Sequence, residues 1–102
     1  MLVGMSERES SVAPSRELLL ANHAFPGEYI VKAFGPPTES FRAGVHASAA
    51  RVVGAHRVQI GERSSRHGRR ICITLTLVVE TVDEVIGVYV QMVRVPELMM
   101  LL

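Results

Sequence analysis

Residues 70–77 read Arg-Ile-Cys-Ile-Thr-Leu-Thr-Leu, and their alternation decides the fold. Ile71, Ile73, Leu75 and Leu77 fall on one side of an extended chain, and Arg70, Cys72, Thr74 and Thr76 on the other. A clean period of two predicts a strand with one buried face. Just upstream, Val58 and Ile60 alternate with Arg57 and Gln59, which predicts a second strand. Ser64-Ser65-Arg66-His67-Gly68 separates the two and makes them a hairpin. Just downstream, Thr81-Val82-Asp83-Glu84 has the form of a capping box. Behind it Val85, Val88, Tyr89, Met92 and Val93 share one helical stripe that Pro96 stops, with Asp83, the single aspartate, read as capping this helix.

Further out, Tyr29, Ile30, Val31, Ala33 and Phe34 form a β-rich run that Gly35-Pro36-Pro37 ends. Thr38 can then cap a helix whose apolar positions are Phe41, Val45, Ala49, Val52 and Val53, with Gly54 as its stop. Leu98 to Leu102 is apolar throughout and suits a terminal strand or a docked tail. The order β-α-β-β-α-β predicts an α+β protein, the split βαβ of ferredoxin-like folds, with a four-stranded antiparallel sheet and both helices on one face. Residues 1–15, rich in serine and charge and closed by Pro14, are expected to be a flexible tail, leaving 16–102 as a single domain.

At 102 residues and 11.2 kDa there is room for one domain only. Forty-eight per cent apolar residues and a mean hydropathy of +0.26 exclude an intrinsically disordered chain. No apolar run approaches the roughly 20 residues of a membrane span, and the N-terminal apolar stretch is too short for a signal peptide. A net charge of +1 argues against polyanion binding by the whole molecule. One cysteine makes no internal disulfide and is a poor start for zinc, so a reducing cytoplasm is expected.

Phe25-Pro26, Lys32 ahead of Gly35, and Ser64-Ser65-Arg66 with Gly68 ahead of Thr74 and Thr76 resemble the YbeD-like family of small bacterial proteins. The resemblance runs from about Glu17 to Leu102. It implies a ferredoxin-like fold similar to the ACT-type regulatory domains of amino-acid enzymes, in a family of unknown function. In ACT-type domains the link from first strand to first helix, here Gly35-Pro36-Pro37-Thr38, helps form a small-molecule pocket between subunits. The chain departs from the family pattern at His67, an extra residue in the hairpin, and at Arg69-Arg70.

An open sheet face is the chief functional consequence of such a fold. Lys32 is costly to bury, so Ile30, Lys32 and Phe34 are expected to face outward from the first strand, with Tyr29, Val31 and Ala33 inward. The third strand would add Cys72, Thr74 and Thr76, and the two strands would be central neighbours. This face is the candidate site for a protein partner, a second copy of the chain or a small metabolite. A second candidate is the hairpin, where Arg57, Arg63, Arg66, Arg69 and Arg70 gather five of the ten arginines within 14 residues, opposed only by Glu62. Guanidinium forks match phosphate oxygens, so weak nucleic-acid or phosphate binding is the alternative function, set against a solvated turn whose charge resists edge pairing. Sheet-based RNA recognition stacks bases on aromatic residues of the central strands, and the third strand has none, which argues against it. Helix N-termini offer little to an anion, since Pro36 and Pro37 lack donors and Asp83 and Glu84 satisfy the second helix themselves. Cys72 has no evident base, and His23, His46, His56 and His67 share no metal-ligand spacing. The expectation is a non-catalytic binding or regulatory module with no cofactor, no metal and no membrane partner.

Overall fold

The computed structural model describes residues 13–102. Its elements run α1 (Arg16–Asn22), β1 (Gly27–Gly35), α2 (Glu39–Val53), a single 3₁₀ turn (Ala55–Arg57), β2 (Val58–Ser64), β3 (Ile71–Val79), α3 (Val82–Met92) and β4 (Met100–Leu101). Among the described residues the architecture is α+β, with three helices and one open four-stranded antiparallel sheet in the order β2-β3-β1-β4. The expected tail at 1–15 falls largely on residues outside those described. Ala13 is half-buried against the core.

The centre of the sheet is the β1–β3 pair, in register from Gly27 opposite Val79 to Gly35 opposite Ile71. Every second residue of each strand is buried: Tyr29, Val31 and Ala33 on β1, and Ile71, Ile73, Leu75, Leu77 and Val79 on β3. Against them lie Phe41, Val45, Ala49 and Val53 of α2 and Val82, Val85, Val88, Tyr89 and Met92 of α3. These follow the stripes the sequence predicts, since residues three and four apart share a helix face, except that Val52 and Val93 are only half-buried and Val93 lies past the end of α3. Both helices open on threonine: Oγ1 of Thr38 accepts from Phe41 N at 3.2 Å and that of Thr81 from Glu84 N at 3.3 Å. Gly54, at φ +89°, closes α2 in a conformation that favours glycine.

Three details differ from the sequence expectation. Asp83 does not cap α3; Thr81 does, and the Asp83 carboxylate pairs instead with Arg16. The same helix ends at Met92, short of Pro96; the proline ring disfavours α-helix at the residue before it, Val95, which is buried. The third is α1, which the sequence did not announce. Its N-cap Ser15 accepts from Leu18 N, and of its three leucines only Leu19 is buried, packing the helix beside α3. Behind it the His23 ring lies 4.8 Å from that of Tyr29, whose hydroxyl is 3.2 Å from that of Tyr89. Burial, and then this hydrogen bond, raises the Tyr89 phenol above its ordinary value of 10.

Candidate functional site

Cross-strand register sorts the open face into rows. One row crosses all four strands: Arg63 on β2, Cys72 on β3, Phe34 on β1 and Met100 on β4. The next holds Gly61, Thr74 and Lys32, and the third Gln59, Thr76 and Ile30. The six residues assigned to this face by sequence therefore share it. Ile30 is 55% exposed, Lys32 is exposed, and Phe34, Cys72, Thr74 and Thr76 are half-buried by their neighbours on the sheet.

At the Phe34 end the face deepens into a groove of about 490 Å³. Its walls are apolar, made by Phe34, Ile71 and Cys72 with Met99 and Met100. Its far rim is the start of the hairpin, with Arg63, Ser64, Ser65 and Arg70. The two methionines arrive from a segment with little structure of its own, held there because Met99 N donates to the Phe34 carbonyl at 2.8 Å. Leu102 continues the docking, exchanging backbone hydrogen bonds of 3.0 and 2.8 Å with Lys32. Met99 and Met100 are the site residues that the sequence reading missed; the apolar run at 98–102 was the only signal.

The arginine cluster is divided by the fold. Arg57 lies in the 3₁₀ turn at the opposite end of β2 and takes no part in the hairpin. Its Nε donates to the Val53 carbonyl at 2.7 Å, Nη1 to the Val78 carbonyl and Glu84 Oε1 at 3.2 Å each, and Nη2 to Glu84 Oε2 at 3.0 Å. It is a structural clamp joining α2, β3 and α3. Ladder pairing continues one step past β2, where Ser65 N donates to the Arg70 carbonyl, so Ser65 and Arg70 fall on the same side of the ribbon as Arg63 and Cys72. Arg63 and Arg70 are thus diagonal neighbours on the open face. Arg66 and Arg69 sit on the turn itself, which Gly68 N closes on the Ser65 carbonyl at 3.0 Å. Glu62, the one carboxylate of this stretch, has its oxygens occupied by Arg42 of α2, from Nε at 2.8 Å and Nη2 at 2.9 Å.

The clamp carries a pH signature. The bidentate bond from Arg57 outweighs desolvation and, with the Glu80 N–H donating at 2.7 Å, holds the Glu84 carboxyl below its ordinary 4.5. A carboxyl whose folded value is lowered contributes stability above its unfolded value and loses that contribution as pH falls through the folded one. The melting-temperature gap between wild type and Glu84→Gln is therefore expected to be widest near neutrality and to close as pH drops below about 4.5. Thermal unfolding followed by circular dichroism from neutral to acid pH checks this; a constant gap would contradict it.

Among the described residues no three His, Cys, Asp or Glu side chains gather into a metal-binding group, and no helix is long and apolar enough to cross a membrane.

Comparison with known families decides the relationship. Residues 21–102 match the family described as protein of unknown function, DUF493. The chain belongs to the DUF493, or YbeD, family. The match covers β1 to β4 and every residue of the groove, and it starts within α1, so Leu19 lies outside it. No curated protein and no solved structure matches.

Proposed function

We propose that this DUF493 chain is a cytoplasmic, non-catalytic binding module of ferredoxin-like fold, allied to ACT-type regulatory domains, that holds a small metabolite against the open face of its sheet. Support for the fold reading is the strand order β2-β3-β1-β4, in which the split βαβ units place β1 and β3 side by side at the centre. Fold supplies no activity, so the functional reading rests on the site. The observation that carries it is the groove at Phe34, Cys72 and Met100, whose volume falls within the roughly 300–1,000 Å³ of small-molecule sites and whose walls are apolar with a few polar groups at one rim. The single cysteine, a free thiol on this face, suits a reducing compartment.

The test is a thermal-shift screen of a metabolite collection against wild type and the double variant Lys32→Glu, Phe34→Ser. Both substitutions are on the open face, so the variant is expected to keep the far-ultraviolet spectrum of wild type. A ligand at a hundred times its Kd adds about 2.7 kcal/mol to stability. For a domain of this size that is a rise of about 10–20 °C. The shift should appear in wild type and vanish in the variant; a shift of equal size in both would remove the face from the function.

A further inference from the structure

Resting on the binding-module reading, we infer that the groove takes a small amphipathic anion, its acidic head held between Arg63 and Arg70 and its apolar body laid along Phe34, Met99 and Met100. Three observations converge on that chemistry. The first is charge: two guanidinium groups stand diagonally on one side of the ribbon, and no carboxylate lines the groove with them. Among the described residues neither arginine has a side-chain partner, whereas Arg16, Arg42 and Arg57 each bind a carboxylate. Diagonal residues across an antiparallel pair lie about 7–8 Å apart, close enough for two like charges to repel and for one carboxylate or phosphate to accept from both forks.

The second observation is that the neighbouring acid has been removed from competition. Glu62 is opposite Ile73, on the helix side of β2, and both its oxygens accept from Arg42. Among the described residues that line the groove, no carboxylate offsets the two guanidinium charges. The third is the shape of the remainder. Behind the arginines the accessible walls are the side chains of Phe34, Met99 and Met100, which gain from displacing water along an alkyl or aryl body and gain nothing from a bare inorganic ion. Methionine, unbranched and polarizable, adapts to such a body without demanding one shape. A cation is opposed by the rim, and a nucleic-acid strand finds a single aromatic platform on the face, Phe34.

The measurement is a titration of the full chain, followed through its backbone amide resonances, with decanoate, decyl phosphate, n-decanol and inorganic phosphate. Decanoate or decyl phosphate is expected to shift the amides of Phe34, Cys72 and Met100 to saturation, and the better of the two identifies the head group. The double variant Arg63→Ser, Arg70→Ser should bind that probe at least ten-fold more weakly. n-Decanol should bind wild type at least ten-fold more weakly too, and inorganic phosphate should leave the Phe34 and Met100 amides unmoved. Both arginines are exposed, so the variant keeps the wild-type amide dispersion; a single Arg63→Lys, which retains charge without the fork, gives an intermediate affinity. If n-decanol binds as tightly as decanoate, or the double variant keeps full affinity, the anionic head is wrong while the module's binding role stands. If neither amphiphile moves the groove amides while a screened metabolite still depends on Phe34, the ligand class falls alone; if the screen also gives no Phe34-dependent shift, the binding reading falls with it.

Discussion

Replacing Gly35 by alanine is expected to destabilise the domain by about 3 kcal/mol, at the upper end of the range for forcing an extra group into a packed core. A β-carbon at this position would stand 2.5 and 2.6 Å from Cε1 and Cε2 of Phe41 and closer still to Cζ. The ring has little room to swing aside, since Phe41, carried in the first turn of α2, is 1% exposed. Overlap of that size must move either the ring, the helix start at Thr38, or the strand end that carries Phe34 into the groove. Chemical denaturation measures the loss, and the pairing can be isolated. In the double variant Gly35→Ala, Phe41→Leu the slimmer side chain makes room, so its destabilisation should be clearly smaller than the sum of the two single changes. Simple additivity would show that the ring and the strand end are not coupled.

The second large effect concerns α1. Leu19→Ala is expected to cost about 2–4 kcal/mol, because the side chain is 2% exposed and its removal leaves a cavity beside α3 that a seven-residue helix cannot collapse to fill. Leu18→Ala and Leu20→Ala, at 59% and 55% exposure, should each change stability by less than about 0.5 kcal/mol. The contrast between neighbouring leucines in one denaturation series tests whether α1 is part of the domain, although the family match begins only at residue 21. Equal effects at all three positions would mean the helix is not docked.

Legibility followed how locally each feature is determined. The sheet was readable because β3 alternates apolar and polar residues, a period of two that survives without knowledge of any partner, and because β1 is a run of strand-favouring residues that Gly35-Pro36-Pro37 ends. Helices α2 and α3 were readable from their caps and stripes. α1 was not, for seven residues hold less than two full turns and three consecutive leucines give no periodicity to follow. The open face could be assigned from one costly residue, Lys32. The groove in it could not, because half its wall is Met99 and Met100, whose position depends on a backbone bond to Phe34 across the sheet. The arginines show the same limit in reverse. Five arginines within 14 residues of sequence became three groups in space: a clamp between elements at Arg57, a facing pair at Arg63 and Arg70, and a turn pair at Arg66 and Arg69. Only strand register separates them, and register is a property of two chains of residues, not of one.

The strict two-sidedness of the central strands also guards the fold against its nearest wrong version. If β1 slid by a single residue along β3, Ile30, Lys32 and Phe34 would turn under the helices and Tyr29, Val31 and Ala33 would face water. An ammonium group would then be sealed among aliphatic side chains with nothing to accept its protons, a cost no rearrangement of the two helices could offset. Lys32 thus acts as a proofreader: it makes the misaligned sheet too costly to persist, whatever else it contributes once the chain has folded.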